Sequence, residues 1–152
     1  MSLPLEITRW AVSQAGDGRA IVSTNFRPYE AVILHLAVQV HPRIPVLWVD
    51  HGYNRPATYR HAEELRRLLN LDIRSYLPRI SAAHRDTIYG PIPSMEDEEG
   101  LQEFSALMKL EPFQRGMKEL APKSLDHGAC ARSKTRIGRD SISFRSTPTS
   151  GP

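Results

Sequence analysis

Cysteine is nearly missing from this chain of 152 residues: Cys130 stands alone. An internal disulfide is therefore excluded, and a cysteine-rich metal site would have to recruit its other ligands elsewhere. Long apolar runs are missing too. None approaches the roughly 20 residues that a membrane span requires, and Met1 to Trp10, interrupted by Pro4 and Glu6, lacks the hydrophobic centre of a signal peptide. The expected setting is the cytoplasm, without membrane contact. Aromatic residues make up only 7%, yet 40% of the chain is apolar, which is enough for one ordinary globular core.

A surplus of one charge sign is also absent from most of the chain. The formal net charge is +3, but residues 123–152 hold six Lys or Arg against two Asp, so the surplus belongs to that segment. A basic stretch with a single aromatic, Phe144, and no nucleic-acid-binding module is not expected to bind nucleic acid.

What is present is an alternation of short apolar runs and helical stripes. "RAIVST" (19–24), "PVLWVD" (45–50) and "DIRSYL" (72–77) read as strands, the second apolar without interruption, as in a strand covered on both faces. Residues 29–40 read as a helix that is apolar nearly all round, with Pro28 in its first turn. Residues 58–69 carry Tyr59, Ala62, Leu65 and Leu69 on one stripe and leave Glu63, Glu64, Arg66 and Arg67 wet. Further on, 81–89 reads as a helix, "PIPSMEDEEG" (91–100) as an acidic surface loop, and 101–120 as two short helices parted near Pro112. The expected class is α/β: three layers, a parallel sheet with helices on both faces, incomplete toward the C-terminus.

Ligands of open parallel sheets bind beyond the carboxyl ends of the strands. Two segments fall there. "STNFRPYE" (23–30) offers hydroxyls, an amide and helix N-terminal N–H groups to an anion, with Arg27 as a charged fork. Pro28, which has no N–H, and Glu30, which already brings negative charge, argue the other way, so the loop reads equally as structural capping. "DHGY" (50–53) places Asp50 where a carboxylate accepts hydrogen bonds from ribose hydroxyls, with Gly52 allowing a sharp turn; Asp50 as a turn cap fits the position as well.

The blocks "STNFRPYEAVILHL", "IPVLWVDHGYNRPATYRHAEELRRLLNL" and "MKLEPFQRGMKEL", in this order, make the chain similar to the sulfonucleotide reductases from about Arg19 to Leu120. The resemblance implies a modified P-loop, Rossmann-like domain of the adenine nucleotide alpha hydrolase-like superfamily. It implies a phosphoadenosine or adenosine phosphosulfate as ligand, thiol-dependent reduction to sulfite in sulfate assimilation and cysteine biosynthesis, and a thioredoxin- or glutaredoxin-type donor. The nucleotide would be held by Ser23, Thr24, Asn25, Phe26, Arg27, Asp50, Gly52 and Tyr53, and Lys109, from the family's Lys-Val-Glu-Pro block, would face the sulfate or phosphate.

The departures from the family pattern bear on chemistry. Arg27 stands where the loop has glycine, and His51 where a threonine precedes the turn. Phe104 and Ser105 stand where iron–sulfur members carry a cysteine pair, so no cluster, and no other cofactor or metal, is expected. No Glu-Cys-Gly-Leu-His nucleophile segment occurs, and Cys130, in "HGACARS", lacks that context, so no catalytic residue is assigned. Beyond "ELAPKS" the family pattern is lost, while displaced reading frames can spell family-like residues. The expectation is a nucleotide-binding domain over 1–122 and a basic, disordered segment over 123–152, the product of a frameshift that truncates the reductase; a natural flexible tail is the alternative. Two other functions remain in view: a non-catalytic adenine-nucleotide-binding module, and an ATP-cleaving adenylyl transferase of the same superfamily. Homo-oligomerisation is left open.

Overall fold

The computed structural model describes residues 3–14, 20–120 and 130–131. Helix α1 (Leu3–Gln14) leads into β1 (Ile21–Ser23), α2 (Glu30–Val40), β2 (Pro45–Val49), α3 (Pro56–Leu69), β3 (Asp72–Tyr76) and α4 (Ala82–Tyr89). Helix α5 (Glu98–Ser105), a π-helical turn (Ala106–Leu110), α6 (Glu111–Leu120) and β4 (Cys130–Ala131) follow. The strands pair in parallel in the order β3-β2-β1-β4, with Val22 opposite Val46 and Pro45 opposite Asp72.

Side chains of a strand alternate between faces, so each strand divides its apolar residues between two cores. Val22, Val46 and Trp48 go to one face, where Leu34 and Ala37 of α2, Ala62 and Leu65 of α3 and Val12 of α1 cover them. Ile21 and Leu47 go to the other, against Phe113, Met117 and Leu120 of α6. This is the expected three-layer α/β arrangement, and β2 is buried on both faces as its unbroken apolar run requires. Gly116 brings α6 down onto the sheet: a Cβ there would stand 2.6 Å from Leu47 Cδ1 and 2.9 Å from Tyr76 Cδ2.

The N-terminal segment, to which no element was assigned from the sequence, forms α1, whose large apolar residues Leu3, Ile7 and Trp10 point outward while Thr8 and Ala11 are buried. Two local readings need correction. The interruption expected at Pro112 lies just before it, as the π turn. The ring of a proline collides with the carbonyl four residues earlier, here Met108, and the wider turn relieves that contact. The acidic loop ends early, because Asp97 accepts from the Gly100 N–H at 2.9 Å and caps α5, which takes in Glu98 and Glu99. Cys130–Ala131, within the segment read as a basic tail, pairs with Ile21 and Val22; the rest of that segment lies outside the described residues.

Candidate nucleotide site

The β1 loop and the β2 turn leave the carboxyl ends of adjacent parallel strands, so the fold sets them side by side. An aromatic chain joins them. Phe26 of the loop meets Trp48 of β2 edge to face with ring centroids 5.0 Å apart, and Trp48 meets Tyr59 of α3 at 5.8 Å. The Tyr59 hydroxyl in turn donates to Asp50 Oδ1 at 2.7 Å. Phe26 is 2% exposed, so its side chain is a core anchor and any share it takes in a ligand site comes through its backbone.

The β1 loop is folded around Glu30, the first residue of α2, which is only 1% exposed. Its Oε2 accepts from Thr24 Oγ1 at 2.6 Å, the Asn25 N–H at 2.9 Å and the Arg27 N–H at 3.4 Å. The Phe26 N–H donates to Thr24 Oγ1 at 2.9 Å, and Phe26 itself adopts a left-handed φ of 55°. Of the expected contacts, Thr24 is buried and Asn25 exposed, whereas Ser23 and Arg27 are half-buried. The Arg27 guanidinium lies 3.1 Å from Tyr29 Oη.

At the β2 turn, Asp50 Oδ1 gathers three donors: Tyr59 Oη, the Gly52 N–H at 3.1 Å and Asn54 Nδ2 at 3.3 Å. Gly52 is needed for two reasons. Its φ is +83°, and a Cβ would meet Ala82 Cβ at 3.1 Å, because α4 starts directly above the turn. Tyr53 reaches across to α4, donating to Asp86 Oδ1. Burial, and then the hydrogen bond to Asp86, pushes the Tyr53 hydroxyl above its ordinary value of 10.0. Buried Arg85 holds the same Asp86 Oδ1 at 3.0 Å and lies 4.7 Å from the centre of the Phe104 ring, which also packs on Tyr53 at 5.4 Å. Phe104 of α5 thus packs between Arg85 of α4 and Tyr53 of the β2 turn.

Lys109 sits half-buried in the π turn, and no hydrogen bond or ion pair joins it to either loop among the described residues. Just beyond it, Arg115 donates to both carboxylate oxygens of Glu111, at 3.0 and 3.2 Å, and to the Leu77 carbonyl at 2.6 Å, tying α6 to the end of β3. Sequence reasoning named the two loops but not Tyr59, Asn54, Arg85 or Asp86 as their supports. Tyr59 carried a signal, since it lies on the buried stripe of α3 and bears a hydroxyl that needs a partner; a buried arginine in α4 carries none.

The architecture can now be set beside known proteins. The family model described as the phosphoadenosine phosphosulfate reductase domain matches residues 19–146. The chain belongs to this family. A phosphoadenosine 5′-phosphosulfate reductase of a Synechococcus strain is 40% identical over 115 residues, covering 76% of this chain and 49% of its own. One from Escherichia coli is 38% identical over 111 residues, covering 73% and 45%. The chain thus spans about half the length of the curated relatives it matches. Among solved structures, the phosphoadenylyl-sulfate reductase of Candida auris, a phosphate complex, superposes with a TM-score of 0.65 at 23% identity over 88% of this chain and 62% of that one, a likeness of fold. Among the described residues no helix is long and apolar enough to cross a membrane, and no group of three or more His, Cys, Asp or Glu could hold a metal ion.

Proposed function

We propose that this chain is the nucleotide-binding part of a sulfonucleotide reductase and binds an adenosine phosphosulfate-type nucleotide without reducing it by itself. The observation that carries the reading is the pairing of the β1 loop and β2 turn at adjacent strand ends, braced by the Phe26–Trp48–Tyr59–Asp50 chain, in a member of this family. Ser23, Thr24, Asn25, the Phe26 backbone and Arg27 line one side of the site, and Asp50, Gly52 and Tyr53 the other. The three donors on Oδ1 leave Oδ2 of Asp50 for the ribose hydroxyls. Lys109 takes the anionic end, and a π turn is a frequent place for a functional side chain.

Reduction needs a thiolate that attacks the sulfur of the phosphosulfate, forms an S-sulfonated cysteine and expels the nucleotide; a second thiol then releases sulfite and leaves a disulfide. Cys130 is the single thiol in the sequence, and its backbone is in register with Ile21. That backbone position stands three residues, roughly 10 Å, before the loop that opens at Thr24. In full-length relatives of cytoplasmic setting, the electrons would come from a thioredoxin- or glutaredoxin-type protein.

Calorimetric titration with adenosine 5′-phosphosulfate, and a sulfite assay with either donor, test this. Saturable binding without sulfite is expected. Sulfite production lost in Cys130→Ser would overturn the second half of the proposal, and absence of any nucleotide binding the first.

A further inference from the structure

The β1 loop is the segment of such a fold from which anion binding is expected, yet its backbone N–H groups are nearly all spent. The Thr24 N–H goes to the Leu47 carbonyl, those of Asn25 and Arg27 to Glu30 Oε2, and that of Phe26 to Thr24 Oγ1. The Glu30 N–H goes to the Arg27 carbonyl and the Ala31 N–H to the Pro28 carbonyl. Pro28 has none to give, which leaves at most the N–H of Tyr29. A helix N-terminus attracts a negative charge because its first N–H groups and the helix dipole point at it. Here the chain supplies that charge itself. Glu30 lies at the first position of α2 and is 1% exposed, with Oε2 bonded to a hydroxyl and two backbone N–H groups.

Its other oxygen makes the case sharper. Oε1 is buried and has no hydrogen-bond partner among the described residues. An orphaned acceptor can be satisfied only by a donor, such as a hydroxyl, an amino group or water, and a phosphate or sulfate oxygen is none of these. A second anion in the loop would meet an unspent lone pair on a carboxylate, where like charges repel strongly out of water.

We propose that Glu30 acts as a built-in anion that closes the β1 loop to phosphate and sulfate, so that this loop recognises only uncharged, donor-bearing parts of a nucleotide. The loop's selectivity, not merely its shape, resides in Glu30. This deepens the nucleotide-binding reading and rests on it for the identity of the ligand, whereas closure to anions is a property of the free protein.

The test is a titration of the isotope-labelled full chain with inorganic pyrophosphate at constant ionic strength, following the backbone amide resonances of Asn25 and Arg27. The same titration is made on Glu30→Gln, which keeps the side-chain shape and an acceptor oxygen, and on Glu30→Ala. In the unaltered protein the two amides should not respond. Both variants should respond saturably and bind pyrophosphate at least about tenfold more tightly, the alanine variant more than the glutamine. Contact with the Arg27 guanidinium alone is told apart by an unmoved Asn25 amide. Saturable movement of both amides in the unaltered protein overturns the proposal, and so does silence of a folded Glu30→Gln variant, since charge would then not be the barrier. Should Glu30→Ala fail to fold, the other two proteins decide. A separate titration with adenosine, followed at the Gly52 amide, reports whether the nucleotide site exists at all, so its failure is distinguishable from failure of the anion barrier.

Discussion

Asp50 holds its own turn through Oδ1; the proposed function also has it bind ribose through Oδ2, and the two roles can be separated by mutation. Tyr59→Phe removes one of the three donors on Oδ1 but keeps the ring against Trp48. A hydrogen bond to a charged acceptor contributes about 1.5–3 kcal/mol, and partial exposure of this one places the cost at about 1–2 kcal/mol. For a chain of this size that is a fall in Tm of about 2–8 °C. Asp50→Asn leaves an amide oxygen that can accept from the same three donors, Tyr59, Gly52 and Asn54, but turns each bond into a neutral one. Its stability cost should therefore be similar, about 1–2 kcal/mol. The two variants part company on ligand. Asp50→Asn should weaken adenosine 5′-phosphate binding by about tenfold to a hundredfold through loss of the charge facing the ribose, whereas Tyr59→Phe should stay within about threefold. In the double variant the stability losses should fall short of additive by about 1 kcal/mol, because both act on one bond. Thermal melts and calorimetric titrations of the four proteins supply every number. Tyr59→Phe that melts like the unaltered protein, or loses as much affinity as Asp50→Asn, would refute the division of labour between the two oxygens.

The other predictions concern the supports of the site. Gly52→Ala forces a side chain into a left-handed φ of +83° and against Ala82 Cβ at 3.1 Å, so a loss of about 1–3 kcal/mol is expected in urea unfolding. Gly116→Ala gains about 1 kcal/mol of helix propensity but drives a methyl group to 2.6 Å from Leu47 Cδ1, and a net loss of about 1–2 kcal/mol should show in the same measurement. Burial, followed by the bond to Asp50, raises Tyr59 above 10.0, as burial and Asp86 raise Tyr53. Their contribution is therefore complete below pH 10 and lost as pH rises through the folded values, and alkaline unfolding followed by circular dichroism should be delayed in Tyr59→Phe relative to its own neutral-pH stability. Glu111 is held below 4.5, chiefly by Arg115 and then by Arg79, so its contribution is present above that pH and lost as pH falls through the lowered value; Arg115→Gln should flatten the acid limb of the stability profile.

Strand interiors were legible in the sequence wherever burial decides the residue type. "PVLWV" is apolar at every position because both faces of β2 are covered, and its neighbours followed from the spacing of apolar runs between helices. Helix α1 was not legible, because it reverses the usual rule by burying Thr8 and Ala11 and exposing Leu3, Ile7 and Trp10, so periodicity points at the wrong face. The π turn escaped for a different reason. A proline marks that a helix is disturbed, but the disturbance falls on the preceding turn, where the carbonyl it strikes is located.

The candidate site divides along the same line. Asp50 and Gly52 could be found because their types and their place at a strand end limit what they do, a carboxylate that gathers donors and a residue free to take positive φ. That Glu30 brings negative charge to the loop could also be read from its place in the first helical turn. What it binds could not. The contact from Thr24 to Glu30 spans six residues and exists only because Phe26 turns left-handed, a conformation that an aromatic side chain does not announce. The cost of that turn is offset by burying the Phe26 ring against Trp48, so a tertiary contact determines a local loop, and the loop determines which charges it will admit. Specificity at this site is therefore set two steps away from the residues a motif would name, and it is reached only through the packing that links them.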